Sequence, residues 1–263
     1  MIIEGRTFVV SGGASGLGRA CVEQIYRKGG NVAVLDRNGA TGANIASEIG
    51  QERSKFFPTD VTDSESINLA LKGVESWVQE TGKAIGGVIA AAGVFHPAKI
   101  IDQNLSPLPL EAFDHIMNVN VRGTVDLIRQ LVPQMARTTP MGDDGERGIV
   151  IMVSSSAAFD GQPGQVAYSA SKGAIASLTL PLTRDLARWG IRVATIAPSL
   201  FESGMTAGMS EKVRKSLLKA MEFPMRPGKP NEFATLVVQC IENIMLNGVV
   251  IRLDGGMRMP SKI

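Results

Sequence analysis

A run near the start of the chain restricts its fold more than any other. Residues 7–10 are β-branched and aromatic and read as a buried strand. Ser11-Gly12-Gly13-Ala14-Ser15-Gly16-Leu17-Gly18 follows, then a helical pattern over residues 19–28, then a strand over residues 31–35 that ends at Asp36. Strand, glycine loop, helix, strand and acid make a mononucleotide-binding unit. Gly12 permits the tight turn, Gly16 lets backbone approach a pyrophosphate, and Gly18 lets the helix pack close to the strand. Ser15 and Leu17 complete the loop. The free N–H groups and positive dipole end of the helix face the phosphates. Asp36 can accept bonds from ribose hydroxyls and would repel a 2′-phosphate, which favours NAD over NADP. Arg37 is the counterweight, since a cation there can host a phosphate.

The remaining chain alternates strand and helix. A third strand over residues 55–59 leads to Asp60-Val61. Asp60 can either contact an adenine edge or cap the helix that starts near Ser64. A helix over residues 64–80 precedes a strand over residues 86–90, which runs into Ala91-Ala92-Gly93. Small residues there let backbone pass close to a flat ligand. Residues 94–109 form an irregular proline-containing loop, and residues 110–136 read as one long helix. Asn120 is a poor mid-helix residue, which points to a local distortion or a polar role. After a polar loop (138–147) come a strand over residues 148–153 and a helix from about residue 163 to about 189, with a kink expected at Pro181. A strand over residues 191–196 follows. Residues 201–228, with Phe201, Met205, Met209, Met221 and Met225, read as an apolar-lined cover with a short helix at 211–220. Its methionines are assigned to an acyl pocket wall. A helix at 231–246 and a strand at 249–253 close the pattern. No linker or repeat interrupts it. The expected fold is α/β: a single doubly wound (Rossmann) domain over residues 1–263, with a seven-stranded parallel sheet and helices on both faces.

Chemistry concentrates in residues 155–172. Tyr168 and Lys172 are four apart and share a helix face. A phenol is a poor base at neutral pH, and a nearby cation favours its phenolate. Ser155, at the end of the fifth strand, offers a hydroxyl to the same reacting oxygen. Each residue has a plainer reading alone: a packing tyrosine, a solvated lysine, a turn-capping serine. Four polar groups, Asn120 included, behind a dinucleotide fingerprint favour the catalytic one.

Composition removes other classes. Hydrophobic residues make up 44% and charged residues 20%, which is ordinary for a globular protein. A net charge of +2 without a basic run gives no nucleic-acid signature. Cys21 and Cys240 stand too far apart for metal spacing, and His96 and His115 have no partner pattern, so no metal site is expected. No apolar run is long enough for a membrane span. The folded pattern starts by Arg6, so no cleavable leader is expected. The chain ends Ser261-Lys262-Ile263, one aliphatic residue away from a Ser-Lys-Leu peroxisomal address. A peroxisomal location is therefore the expectation, with cytoplasm or mitochondrion as alternatives.

These residues together resemble the short-chain dehydrogenase/reductase family over nearly the whole length. Its glycine pattern appears as Ser11-Gly12-(x3)-Gly16-Leu17-Gly18, its YxxxK as Tyr168-Ser-Ala-Ser-Lys172, its serine as Ser155 and its asparagine as Asn120. Within the family the chain looks most like the type II 3-hydroxyacyl-CoA dehydrogenases. Residues 157–168, 196–201 and 247–256 carry that likeness. The family's Asn-Ala-Ala-Gly reads Ala90-Ala91-Ala92-Gly93, which puts the support that the asparagine gives the central sheet in doubt. The resemblance implies NAD-dependent oxidation of a 3-hydroxyacyl-CoA to the 3-oxoacyl-CoA. Ser155 and Tyr168 would hold the substrate oxygen, Tyr168 would act as base, Lys172 would lower its pKa and bind the nicotinamide ribose, and Asn120 would hold a relay water. Gly93 and Phe201 join the cofactor contacts. The resemblance also implies a homotetramer pairing through the long helices and last strand. Alternatives are a hydroxysteroid dehydrogenase, a 3-oxoacyl carrier-protein reductase, or a non-catalytic NAD-binding scaffold.

Overall fold

Strand β1 (Thr7–Ser11) is buried at all its positions, as a strand covered on both faces must be. Its side chains alternate between two cores. Phe8 and Val10 pack with Cys21 and Ile25 of α1 (Gly16–Arg27) and with Phe233 and Val237 of α9 (Pro230–Glu242). Val9 packs on the other side with Leu71 and Val74 of α3 (Ser64–Thr81) and Leu127 and Leu131 of α5 (Gly123–Ala136). Each such side chain removed from water contributes about 1.5–3 kcal/mol. The continuous apolar runs are thus explained by helices on both faces of the sheet.

The structure is a computed structural model that describes residues 1–260, leaving aside the side chains of residues 43, 46, 205, 207 and 212. The Ser261-Lys262-Ile263 address lies outside the described residues. Strands β2 (Asn31–Asp36), β3 (Ser54–Pro58), β4 (Ile85–Ala90), β5 (Gly148–Val153), β6 (Ile191–Pro198) and β7 (Val249–Leu253) join β1 in one parallel sheet, in the order β3-β2-β1-β4-β5-β6-β7. The remaining helices are α2 (Gly39–Ile49), α4 (Leu110–Met117), α6 (Val166–Ala187), α7 (Gly204–Ala207) and α8 (Glu211–Lys219). The chain moves outward from β1 to β3 and then returns beside β1 with β4. That reversal opens a crevice at the carboxyl ends of β1 and β4, where such sheets bind ligands.

One expectation is corrected. The helix expected over residues 110–136 is divided by a π turn over Asn118–Arg122. The widened turn takes Asn120 out of simple helical duty, and its amide bonds to neighbouring segments instead. Pro181, where a kink is expected, lies inside α6, which is assigned as one helix over Val166–Ala187. The carbonyl that Pro181 cannot satisfy belongs to Ser177, an exposed residue. Among the described residues, no helix is long and apolar enough to cross a membrane.

Candidate active site

The crevice is a cavity of about 710 Å³ that runs from the glycine loop to α6. At its nucleotide end, Gly12 has a φ of +65° and packs on the backbone after β4. A Cβ there would lie 2.9 Å from Ala92 Cα, so the turn and the close approach both need glycine. A Cβ on Gly18 would overlap the Gly12 carbonyl. Ser11, where the family has threonine, keeps the hydroxyl that matters. It accepts the Ala92 N–H at 3.2 Å and ties β1 to the segment after β4, next to the strand residue Ala90 that replaces the family's asparagine.

The loop fits a dinucleotide. Ser15 precedes α1 without a side-chain capping bond, and the first turn holds no acidic side chain. The amides are left for an anion. Across the cavity from Gly16 stands Ser203, whose Cβ would be 3.4 Å from a Cβ at Gly16; glycine preserves that gap. The Asp36 carboxylate accepts the Ala14 N–H at 3.1 Å and the Asn38 N–H at 3.0 Å. It therefore braces the glycine loop as well as facing the cavity. Asp60 accepts two bonds from Thr62, through the amide at 2.8 Å and the hydroxyl at 2.7 Å. Those bonds hold its carboxyl below the usual range, and the charge of Arg37 adds to the effect. The cap of α3 is Asp63, so Asp60 does not serve as that cap and lines the cavity with Val61.

At the other end, β5 and the first turn of α6 bring three side chains together. Ser155 is 6% exposed, and its hydroxyl accepts the Ala157 N–H at 3.1 Å. It also lies close enough to Tyr168 to lower the pKa of the phenol. Lys172 is buried, and its amine donates to the Val153 carbonyl at 2.9 Å. Burial lowers its pKa to about 8. Its Nζ lies 5.8 Å from the centroid of the Tyr168 ring. Phe95 meets that ring edge-on, with centroids 5.0 Å apart. Burial opposes the downward shift of the Tyr168 pKa expected from Lys172. Burial pushes the Tyr168 phenol above its ordinary value, and the Ser155 hydrogen bond offsets part of the rise. The Lys172 amine is directed at a backbone carbonyl.

Gly12, Ser15, Gly16, Leu17, Gly18, Asp36, Asp60, Val61, Ala91, Gly93 and Phe201 all line the cavity, together with Ser155, Tyr168 and Lys172. Asn120 does not. Its Oδ1 accepts the Val94 N–H at 2.8 Å, and its Nδ2 donates to the Val94 carbonyl and the Ser171 hydroxyl, each at 3.0 Å. With both amide hydrogens committed, its side chain positions the wall rather than entering it. Among the described side chains, which leave out Met205, the methionine wall is also corrected. Met221 is buried and Met209 half-buried in a separate small core with Leu200, Leu217 and Met257. Met225 is exposed. The cover instead presents Ser203, Gly204 and Thr206 to the cavity.

Val94, Phe95, His115, Asn118 and Ser199 line the cavity without being singled out from the sequence. Nothing local marks them, because the loop after β4, α4 with the π turn, and the end of β6 bring them in from separate parts of the chain. Ser203 and Thr206 did carry a signal: a capping box, with the Ser203 N–H donating to Thr206 Oγ1 at 3.0 Å. Among the described residues, no group of three or more His, Cys, Asp or Glu is placed to hold a metal ion.

A nucleotide cradle at a sheet reversal, opening onto a buried phenol and amine, defines a single-domain dinucleotide-linked dehydrogenase. The chain belongs to the short-chain dehydrogenase family, whose model matches residues 6–214. It is 40% identical over 260 residues to the 3-hydroxyacyl-CoA dehydrogenase type-2 of Drosophila melanogaster, covering 98% of this chain and 99% of that one. The crystal structure of a 3-hydroxyacyl-CoA dehydrogenase type-2 from Mycobacterium avium superposes with a TM-score of 0.91 at 32% identity, covering 98% of each chain. A 3-ketoacyl-(acyl-carrier-protein) reductase from Brucella melitensis, solved in complex with NADH, has a TM-score of 0.81 at 26% identity and covers 97% of this chain and 98% of that one.

Proposed function

We propose that this chain oxidises a 3-hydroxyacyl-CoA to the 3-oxoacyl-CoA with NAD. The observation that carries the reading is that Ser155, Tyr168 and Lys172 line the same cavity as the glycine loop and Asp36. The likeness to 3-hydroxyacyl-CoA dehydrogenases type-2 supports the acyl-CoA class. Bound NAD would accept the hydride released from the substrate carbinol carbon. Gly12, Gly16 and Gly18 would shape the seat of its pyrophosphate, Asp36 would hold its adenosine ribose, and Asp60 and Val61 would border its adenine.

The chain's own residues handle the oxygen and its proton. Ser155 and Tyr168 hold the substrate hydroxyl. As the C–H bond breaks and the C=O bond forms, Tyr168 phenolate takes the O–H proton. The Lys172 cation favours that phenolate against the burial that opposes it. Asn120 keeps Val94 and Ser171 in place around the pair. Residues 201–228 are proposed as the cover of the bound cofactor and substrate, entering through Phe201, Ser203 and Thr206.

Homotetramer formation is proposed through the long helices and the last strand. Leu180 on α6 and Val250 on β7 are partly exposed apolar residues that suit such a contact; the mass in solution tests it. Peroxisomal delivery is proposed from the terminal tripeptide alone, and import of a fluorescent protein carrying Ser-Lys-Ile tests it. The catalytic reading is tested by kcat/KM for a panel of 3-hydroxyacyl-CoAs and hydroxysteroids with NAD and NADP. Highest values for acyl-CoA with NAD support it, and steroid preference moves the chain to the hydroxysteroid class. Cofactor binding without turnover of any member of the panel contradicts it.

A further inference from the structure

Residues 157–166 and 247–256 carry the likeness to one subgroup of the family, yet no described residue of either stretch lines the cavity. In the structure the two stretches are bonded to each other. Arg252 of β7 places Nη2 2.5 Å from Asp160 Oδ2. Its Nε donates to Asp254 Oδ2 at 2.6 Å, and Nη2 also donates to the Met257 carbonyl at 3.1 Å. The same guanidinium lies 5.2 Å from the centroid of the Phe159 ring. Gln162, itself buried, donates its side-chain amide to the Pro260 carbonyl at 3.0 Å. The Asp160 carboxyl is held below its usual range, first by Arg252.

Residues 254–260 also reach the cover. Met257 is fully buried against Leu200, Leu217 and Met221. The Gly255 carbonyl accepts the Phe223 N–H at 3.1 Å. One short segment therefore touches both the link between Ser155 and Tyr168 and the segment over the cavity.

We propose that Arg252 is a positioning residue. Through Asp160 it fixes residues 157–165 so that Ser155 and Tyr168 stay paired, and through residues 254–260 it couples that link to the cover. A planar guanidinium suits the task, since its fork can hold two carboxylates, a carbonyl and a ring face at once. Isolated surface ion pairs contribute little to global stability. The effect of this one is therefore local geometry at the reacting pair, where a displacement of an ångström is costly. The inference rests on Ser155 and Tyr168 being that pair.

The test uses the full chain with Asp160→Asn, Arg252→Gln, their double variant, and the conservative Asp160→Glu and Arg252→Lys. Three quantities are read: amide hydrogen exchange over residues 157–165, the dissociation constant for NADH, and kcat/KM for 3-hydroxybutyryl-CoA. Each disruptive single variant is expected to speed exchange in 157–165 and to lower kcat/KM by about 10- to 100-fold. NADH affinity should stay within about twofold, and the double variant should be no worse than the worse single one. The conservative variants should recover part of the loss. Unchanged exchange in 157–165 overturns the proposal. So does a loss in which NADH affinity, kcat/KM and melting temperature fall together, as plain destabilisation gives. Absence of wild-type turnover, or turnover that survives Tyr168→Phe, counts against the functional reading instead. Exchange over 157–165 still decides the role of Arg252 in that case.

Discussion

Lys172 donates its amine to the Val153 carbonyl at 2.9 Å, which fastens the first turns of α6 to the end of β5. Ser154 fastens the same place from the other side, its hydroxyl donating to the Lys172 carbonyl at 2.7 Å. The separation of Tyr168 and Ser155 is thus set by strand and helix together, not by the loop between them alone.

The buried Lys172 amine makes stability depend on pH. Its folded pKa of about 8 lies below the ordinary lysine value of 10.5. The folded state resists the charged form, so stability is held down below pH 8 and recovers as pH rises from about 8 toward 10.5. Relative to Lys172→Met, the wild type should gain about 3 kcal/mol across that window. Urea unfolding of both proteins at neutral and alkaline pH checks this. A stability difference that does not change with pH would count against the burial of the amine.

Because burial raises the Tyr168 pKa, the base form is scarce at neutral pH and grows as pH increases. Oxidation of 3-hydroxybutyryl-CoA should therefore speed up on the alkaline side of neutral, while reduction of the 3-oxo compound should slow. Initial rates in both directions across pH test the sign. Oxidation that falls as pH rises through this range would reverse the assigned proton flow.

Asp36 has two jobs that substitutions can separate. Asp36→Ala should cost about 1–2 kcal/mol, because the Ala14 and Asn38 amides lose their acceptor. It should also erode the preference for NAD over NADP. Asp36→Asn keeps one of the two acceptor oxygens in use and should retain part of the stability while showing the same change in preference. The ratio of kcat/KM for the two cofactors measures it, and an unchanged ratio removes Asp36 from cofactor choice.

Phe95 stands edge-on to the Tyr168 ring, a contact worth about 0.5–1.5 kcal/mol. It lines the cavity and narrows the approach to the phenol. Phe95→Ala should raise kcat/KM for branched acyl-CoAs relative to straight-chain ones. Equal effects on both would reduce Phe95 to packing.

The legibility of this chain follows the range of its interactions. The sheet was readable because buried strands such as residues 32–35 are continuous apolar runs and the helices between them are amphipathic. The glycine loop was readable because its spacing is local, and Gly18 answers a steric demand from Gly12 within the loop itself. Ser155, Tyr168 and Lys172 came from spacing together with family likeness. What escaped depends on distant partners. Asn120 was legible as a distortion or a polar role, but its partners were not: Val94 and Ser171, 26 residues before it and 51 after it, claim its amide. Met209 and Met221 turn away from the cavity because Met257 and Leu217 build a separate core behind them. The Tyr168 pKa follows from burial, which no local spacing records.

Tyr168→Phe tests the central claim most directly, by following NADH formation at 340 nm with NAD and 3-hydroxybutyryl-CoA. Wild type should turn over, and the variant should lose roughly 10²- to 10⁴-fold in rate while binding NADH with unchanged affinity. A variant that keeps more than about a hundredth of the rate would contradict Tyr168 as the group that moves the proton.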